Sequence, residues 1–255
     1  MTDPGFAAHL PDFLAYQQTP WGRLRYRVVA ANLARHLTGP ATVLDAGGGN
    51  GMDAITLAQL GHRVTVLDNS AALLEQAGAL AKQRGVHVRT HHADVTEPPA
   101  GEFDLVLCHN VLHYTDDRHA VVRALVGALA PGGLISVLCP NAHSDPLRTA
   151  VRDLDPVRAL AELDAESSYV ETIGRALPAC TAAGESERLA AAGITVLGHY
   201  GVRCAFDYVP DETKQDPDFL AALEKLELAM AGRMPYPLTA RFFQLIGRRG
   251  DPLSS

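Results

Sequence analysis

A chain of 255 residues, with 47% hydrophobic and 20% charged residues, is long enough for a large core, and this composition excludes a disordered, collagen-like or repetitive protein. The formal net charge of −7 gives the chain as a whole no attraction to nucleic acid, although a local basic patch is compatible with it. No apolar run is long enough to cross a bilayer, and the opening MTDPGFAAHLPDF lacks the pattern of a secretory signal, so we expect a cytoplasmic protein with no membrane partner.

Apolar runs alternate with helical patterns from residue 20 to residue 141. Residues 20–37 predict an amphipathic helix that ends near Gly39-Pro40. Five strands are predicted after it: TVLDAG, RVTVLD, VHVRTHHADV, FDLVLCHN and LISVLCPN. Three helical stretches lie among them: MDAITLAQLG, SAALLEQAGALAKQRG and DDRHAVVRALVGALAPGG. The first ends at Gly61, the second is capped by Ser70 and ends at Gly85, and the third is capped by Asp116 or Asp117 and ends at Pro131-Gly132-Gly133. This alternation of strands and helices indicates a parallel sheet that is covered by helices on both faces.

The alternation breaks after Asn141. Residues 144–184 predict a helical or irregular insert with no lysine, four arginines and seven acidic residues, and therefore a net charge of −3. An αβ unit (GESERLAAAGITVLGHY), a strand-like GVRCAFDYV, a helix over residues 218–231 and a final strand ARFFQLIGRR follow. The leucines of that helix repeat at helical spacing, which predicts a core face. The four cysteines form no CxxC pair, which predicts buried free thiols at Cys108, Cys139, Cys180 and Cys204.

The stretch VLDAGGGNG places four glycines at the turn after the first strand. Ligands of an open parallel sheet bind at the carboxyl ends of its strands, and glycines let the backbone approach them. A dinucleotide fingerprint would need a third glycine at position 52, which is Met52, so a dehydrogenase is disfavoured. Asp45 immediately precedes the turn, where it would repel a pyrophosphate and attract a cationic ligand.

Acidic residues also end the next two strands. Asp68 ends the second strand, 23 positions after Asp45, which is the spacing at which a carboxylate accepts hydrogen bonds from ribose hydroxyls. Asp94 ends the third strand and could accept a hydrogen bond from an adenine amino group. The sequence therefore predicts a nucleoside site with a positive charge near the glycine turn.

With these motifs the chain resembles the class I methyltransferases that use S-adenosylmethionine, through DAGGGNG, VLDNS, HHADV, FDLVLCHNVLHY and APGGLISVLCPN. The resemblance implies an α/β, Rossmann-like fold, with a mostly parallel seven-stranded sheet, an antiparallel last strand, helices on both faces and a helical insert after strand 5. It implies a single domain, divided into an N-terminal helical lid (1–40), a cofactor-binding half (41–143), a substrate-cap insert (144–184) and a C-terminal half (185–255). The motifs make Gly47, Gly48, Gly49, Asn69 and Ala93 cofactor-site candidates beside Asp45, Asp68 and Asp94.

A narrower resemblance joins GRLR, DAGGG, VLCHNVLHY, PNAH, GVRCAFDYV and the PY before the last strand to the bacterial tRNA 5-carboxymethoxyuridine methyltransferase family. That family esterifies the carboxylate of a modified wobble uridine. The resemblance implies cofactor contacts from Arg25, Gly47, Gly48, Asp68 and His109, with Arg25 pairing the cofactor's carboxylate. On its own, Arg25 fits a solvated helix face equally well. The acidic insert is unlike a phosphate-binding surface, so the acceptor stays open between a small molecule and tRNA.

Methyl transfer from a sulfonium is an in-line displacement that needs a base only when the acceptor must lose a proton. Candidate catalytic residues are His113, His143 and Tyr208, whereas His109 fits the cofactor shell better than a base. His91, His92, His109 and His113 lie close in sequence, but their predicted positions do not converge, so no metal is expected. The alternative function is a non-catalytic S-adenosylmethionine sensor or partner subunit. The insert favours the enzyme, because it is placed to cover an acceptor.

Overall fold

The structure is a computed structural model that describes residue 17 and residues 19–170 and 175–250. It divides into two compact units, each assembled from separate stretches of chain. Unit 1 takes the described residues up to Asn32, Pro140–Ala182 and His199–Gln244. Unit 2 takes Leu33–Cys139, Ala183–Gly198 and the described residues from Leu245 onward. Residues 1–16 and 18 of the predicted lid (1–40) lie outside the described residues, so the lid stays a prediction.

The strands of the main sheet are β1 (Thr42–Ala46), β2 (Arg63–Asp68), β3 (Val88–His92), β4 (Phe103–His109), β5 (Leu129–Pro140), β8 (Ile194–Val202) and β9 (Phe242–Arg249), and β6 (Ser167–Val170) and β7 (Arg175–Pro178) form a separate pair. The helices are α1 (Pro20–Leu33), α2 (Met52–Gln59), α3 (Ala71–Gln83), α4 (Arg118–Gly127), α5 (Asp145–Val151), α6 (Pro156–Glu162), α7 (Ala182–Ala191) and α8 (Pro217–Met230).

The seven-stranded sheet has the order β3-β2-β1-β4-β5-β9-β8, and the first five of these strands pair in parallel. The last strand runs the other way. It is antiparallel to β8, because the amide of Gly250 donates to the carbonyl of Gly193 and the amide of Arg241 donates to that of Arg203. It is also antiparallel to β5, because the amide of Asn141, just after β5, donates to the carbonyl of Arg241, just before β9. The mostly parallel sheet with an antiparallel last strand is therefore confirmed.

The strand order reverses between β1 and β4, whose neighbours lie on opposite sides. The central residues of both strands are apolar on both faces and fully buried, for example at Val43, Leu44, Leu105 and Val106. Removal of this apolar surface from water stabilises the sheet by about 25 cal/mol for each Å² buried. The carboxyl ends of β1, β2, β3 and β4 thus share one edge, where a ligand site is expected.

Several predicted boundaries are wrong, each for a local reason. Helix α1 ends at Leu33, not residue 37, and α4 ends at Gly127, so Pro131-Gly132-Gly133 lies within β5. The β4–β5 pairing shifts register between Phe103 and Leu105, which accommodates this turn within the strand. The predicted strand GVRCAFDYV ends at Val202, because Arg203 has a φ of 63° and Phe206–Tyr208 form a 3-10 helix.

The insert is not only helical. It contains α5 and α6, followed by the antiparallel pair β6 and β7, which the sequence analysis did not predict. Residues 171–174 between the two strands lie outside the described residues. The core face predicted for residues 218–231 is wrong in part, because Leu226 is 48% exposed while Glu227 is fully buried.

All four cysteines are free and buried, as predicted. Ser70 and Asp117 cap α3 and α4 by accepting the amides of Leu73 and Ala120. Within the described stretches, every helix is too short or too polar to cross a membrane.

Candidate functional site

The glycine turn lies on the end of β2. The amides of Gly47 and Gly48 donate to the carbonyl of Leu67 at 2.7 and 3.1 Å. Gly47, Gly49 and Gly51 have φ angles of 70°, 54° and 75°, which side-chain-bearing residues rarely adopt. A Cβ on Gly47 would lie 2.4 Å from Cγ2 of Val111, whereas one on Gly49 would meet only a leucine methyl at 3.7 Å. The turn is therefore packed against the segment after β4 and open at Gly49, which fits a cradle for a ligand.

Asp68 joins this turn to the start of α3. Its two carboxylate oxygens accept the amides of Gly49 and Ser70, each at 2.9 Å. Burial raises the pKa of Asp68, against the opposing effect of these amides. A carboxylate offers about four acceptor sites, so Asp68 retains acceptor capacity beyond these amides.

The ends of β2 and β3 lie side by side, with Asp68 paired to His92 in the register. The amide of Ala93 donates to the carbonyl of Asp68 at 3.2 Å. The Nε2 of His92 lies 3.1 Å from the carbonyl oxygen of Asn69. His92 is not among the predicted cofactor-site residues, although the HHADV motif contains it. The structure therefore brings Asp68, Asn69 and Ala93 together.

Asp94 follows these residues and is exposed. One of its carboxylate oxygens accepts both the amide and the hydroxyl of Thr96, at 3.0 and 2.7 Å, and these bonds lower the pKa of Asp94. Asp94 is therefore ionised at neutral pH and is held at the same edge of the sheet as the glycine turn.

Asp45 lies beneath the glycine turn and is 2% exposed. A Cβ on Gly48 would be 2.6 Å from Cγ of Asp45, so the second glycine leaves room for this carboxyl group. A buried acidic residue below a turn that is open to ligand favours a cation there. The residues of this edge fit the cofactor that the sequence analysis expects.

His109, at the end of β4, has both ring nitrogens engaged. Nδ1 lies 3.2 Å from Oδ2 of Asp53, and Nε2 lies 2.8 Å from Oγ of Ser136. A carboxylate only accepts, so in the neutral ring Nδ1–H donates to Asp53 and Nε2 accepts from the hydroxyl of Ser136. His109 therefore fixes the end of β4 and is not free to act as a base. Sequence reasoning missed Asp53 and Ser136, because nothing in their spacing relates them to His109.

The remaining predicted residues are divided between the units. His113 belongs to unit 2, where it is buried in the 3-10 helix Leu112–Tyr114 with its ring 4.1 Å from that of Tyr114. Arg25, His143 and Tyr208 belong to unit 1. Arg25 is half-buried with its guanidinium 4.0 Å from the ring centre of Tyr26, so it does not lie on a solvated helix face. The side chain of His143 is exposed.

Unit 1 contains a cluster of arginines around Tyr208. The Nη1 atoms of Arg241 and Arg148 lie 2.8 and 3.7 Å from the same oxygen of Asp145. The pKa of Arg241 is lowered by burial first and then by the charge of Arg148. Asp145 thus contacts two guanidinium groups, and the charge of Asp207 also acts on Arg241.

The hydroxyl of Tyr208 is buried and has no hydrogen-bond partner within the described part of the chain. Burial, followed by the charge of Asp207, raises the pKa of Tyr208, and the charges of Arg148 and Arg241 oppose this shift. Tyr208 therefore keeps its proton at neutral pH and can donate a hydrogen bond, which argues against the base role considered for it.

Glu227 of α8 holds the chain segment that carries Tyr208. Its carboxylate accepts the amides of Cys204, Ala205 and Phe206 at 2.7, 2.8 and 2.8 Å. Burial raises the pKa of Glu227, against the effect of these three amides. The sequence offered one signal that was not used, a glutamate within the apolar stripe of a helix.

The part of the chain that the structure describes contains no group of three or more histidine, cysteine or acidic side chains that could hold a metal ion.

Residues 43–133, which lie in unit 2, match a family model described as a methyltransferase domain. Over 241 residues the chain is 32% identical to the tRNA 5-carboxymethoxyuridine methyltransferase of Escherichia coli (strain K12), covering 91% of this chain and 90% of that protein. The match to this relative therefore extends through both units.

Two solved structures show the same fold. One is the Burkholderia thailandensis 1,6-didemethyltoxoflavin-N1-methyltransferase, solved with 1,6-didemethyltoxoflavin and S-adenosylhomocysteine bound. It has a TM-score of 0.59 at 21% identity, and the matched region covers 98% of this chain and 92% of that structure's chain. A putative methyltransferase of Haloferax volcanii, solved in complex with the Trm112 methyltransferase activator, has a TM-score of 0.65 at 17% identity, with 98% and 99% covered. At these identities the likeness shows the fold alone.

Proposed function

Because the chain belongs to the tRNA 5-carboxymethoxyuridine methyltransferase family of S-adenosylmethionine-dependent methyltransferases, we propose that it forms a methyl ester on the carboxylate of 5-carboxymethoxyuridine in tRNA. The chain is an enzyme, and S-adenosylmethionine is its cofactor. The observation that carries the proposed acceptor is the 32% identity that extends over 91% of this chain, well beyond the residues that match the general methyltransferase domain.

The cofactor supplies an electrophilic methyl group on a positively charged sulfur. In our assignment Asp68 accepts hydrogen bonds from the ribose hydroxyls, and Asp94 accepts one from the adenine amino group. Asp45, which is buried, stabilises the positive charge that the glycine turn approaches. Arg25 pairs the cofactor's carboxylate, as the resemblance to the family implies. A non-catalytic sensor is not favoured.

The arginines of unit 1 support a carboxylate as the acceptor. Arg148 and Arg241 share the single carboxylate of Asp145, so a second carboxylate would reduce the repulsion between the two guanidinium groups. The hydroxyl of Tyr208 is buried without a partner among the described residues, and in our assignment it donates to the same anion. A buried donor without a partner costs roughly 1–3 kcal/mol, which a bound acceptor would recover.

Such an acceptor needs no general base, since a carboxylate is already an anion at neutral pH. The protein then has to orient the acceptor, exclude water and hold the reacting oxygen in line with the methyl group. In this proposal Tyr208 and the arginines orient the acceptor. His113 and His143, which the sequence predicts as candidate bases, are then not needed as bases, because the acceptor carries no proton that must be removed.

A small carboxylic acid is the second candidate acceptor, because the insert is unlike a tRNA-binding surface. It has no lysine, and two of its four arginines, Arg152 and Arg158, pair with acidic residues of unit 1. Arg158 pairs with Asp153 and Glu162, and Arg152 lies 3.6 Å from Asp211. These two positive charges of the insert are therefore already partly neutralised, which weakens their attraction for phosphate groups.

Transfer of a tritiated methyl group from S-adenosylmethionine distinguishes the two acceptors. We would incubate the enzyme with tRNA that contains 5-carboxymethoxyuridine and, separately, with a small-molecule extract. The proposal expects label in the tRNA, released as methanol by mild alkali because the product is an ester, and a steep fall in rate with salt. Label in the extract alone would establish the small-molecule acceptor, and no transfer to either would contradict both.

Two matched variants test the acceptor site in the same assay. Arg241→Lys retains the charge but loses the planar guanidinium, so we expect the KM for the acceptor to rise about 10-fold or more with the cofactor Kd unchanged. Arg158→Ala removes an exposed arginine of the same unit and should leave both values unchanged. Equal effects of the two substitutions would show that Arg241 does not contact the acceptor.

A further inference from the structure

Asn110 combines two unusual features at the carboxyl end of β4. Its φ is 57°, in the left-handed region that asparagine tolerates better than most residues. Its side-chain oxygen Oδ1 is buried and, within the described ranges, has no hydrogen-bond partner. A buried polar atom without a partner costs roughly 1–3 kcal/mol, so this oxygen is an acceptor that the described protein groups leave unused.

The backbone that presents this oxygen is held on both sides. The amide of Asn110 donates to the carbonyl of Leu138 at 2.7 Å. The preceding residue, His109, is fixed through Asp53 and Ser136, and the following residue, Val111, packs against Gly47 of the glycine turn. The backbone of Asn110 is therefore held between two fixed neighbours, one of which packs against the glycine turn.

We propose that the Oδ1 atom of Asn110 accepts a hydrogen bond from the α-ammonium group of S-adenosylmethionine. The cofactor's hydrogen-bond donors are its two ribose hydroxyls, its adenine amino group and this ammonium group. Asp68 and Asp94 are assigned to the first two, at the ends of β2 and β3. The ammonium group is the donor that remains, and Asn110 is at the end of β4, on the other side of the glycine turn.

A purely conformational role for Asn110 predicts something different. If the residue served only the left-handed turn, glycine would serve equally well, because it adopts positive φ without steric cost. Asn110→Gly therefore keeps the backbone and removes only the carboxamide, whereas alanine would add backbone strain. Asn110→Asp keeps an oxygen acceptor and adds a negative charge, which favours an ammonium partner.

The test is calorimetric binding of S-adenosylhomocysteine and of 5′-methylthioadenosine, which has the same nucleoside but no ammonium group. We expect Asn110→Gly to weaken S-adenosylhomocysteine binding about 10-fold, or about 1.4 kcal/mol, and to leave methylthioadenosine binding unchanged. Asn110→Asp should bind S-adenosylhomocysteine at least as tightly as the wild type. Thermal unfolding of the glycine variant should be unchanged or shifted upward.

Two outcomes would overturn the assignment: unchanged S-adenosylhomocysteine affinity in Asn110→Gly, or an equal loss for both ligands. Weakened binding in Asn110→Asp, at the level of the glycine variant, would do the same. None of these measurements involves a methyl acceptor, so their outcome is independent of the proposed tRNA substrate.

Discussion

Replacement of Asp68 by alanine should separate cofactor affinity from fold stability. Its carboxylate accepts the amides of Gly49 and Ser70, and in our assignment it also accepts hydrogen bonds from the ribose. Hydrogen bonds to charged groups contribute about 1.5–3 kcal/mol each, and removal of two ribose contacts that share one carboxylate should cost about 3 kcal/mol. We therefore expect the Kd for S-adenosylmethionine to rise roughly 100-fold.

The loss of stability should be smaller than the loss of affinity. Burial opposes the charge of Asp68, as its raised pKa shows, so alanine removes an unfavourable desolvation together with the two amide contacts. Isothermal calorimetry with S-adenosylmethionine and thermal unfolding without ligand measure the two quantities separately. A lower melting temperature with unchanged affinity would refute the ribose assignment.

Asp104 provides a matched control within unit 2. Its carboxylate also accepts two hydrogen bonds, from the amide and the hydroxyl of Thr42 at 2.7 and 2.6 Å, but it lies near the amino end of β4, away from the glycine turn. Asp104→Ala should lower stability and leave the cofactor Kd unchanged. Comparable losses of affinity in both variants would mean that the effect at Asp68 comes from general destabilisation.

Cofactor affinity should fall as the pH is lowered through the raised pKa of Asp68, since only the carboxylate accepts both hydroxyls, and Asp68→Asn should abolish this dependence in calorimetry. The stability of the protein without cofactor should change with pH in the opposite direction. Above its raised pKa the buried charge of Asp68 lowers the free energy of unfolding, and this cost disappears as the pH falls towards the pKa of Asp68 in the unfolded chain. Glu227→Gln replaces an accepting oxygen by a donor and should lower the free energy of unfolding by about 1–3 kcal/mol, whereas Glu224→Gln at the surface should not. Gly47→Ala should lower the melting temperature through its φ of 70° and its contact with Val111, and Val111→Ala should restore only the part due to the contact.

Most of the sheet and of the cofactor edge could be predicted from sequence because their signals are local. Apolar runs bounded by glycines give the strands, and the spacing from Asp45 to Asp68 follows from one βαβ unit. The helix caps at Ser70 and Asp117 are also local, since each side chain accepts an amide three residues later. These features depend on neighbouring residues, so periodicity and turn chemistry are sufficient to find them.

The missed features depend on contacts between residues far apart in the chain. GVRCAFDYV has the composition of a strand, but Glu227 withdraws three of its amides from any sheet, and it does so from a helix 21 to 23 positions away. The contacts of His109 likewise reach Asp53 and Ser136, 56 and 27 positions away. No single-sequence pattern relates such partners, because the fold itself brings them together.

The shared position of Asp145 between Arg148 and Arg241 has a consequence for turnover, if these arginines hold the acceptor as proposed. The carboxylate of the acceptor competes with Asp145 for the same two guanidinium groups, which lowers the affinity for the acceptor. Once esterified, the product is neutral and can no longer compete, and Asp145 regains both guanidinium groups. The carboxylate of Asp145 would thus speed release of the methyl-ester product and reduce product inhibition.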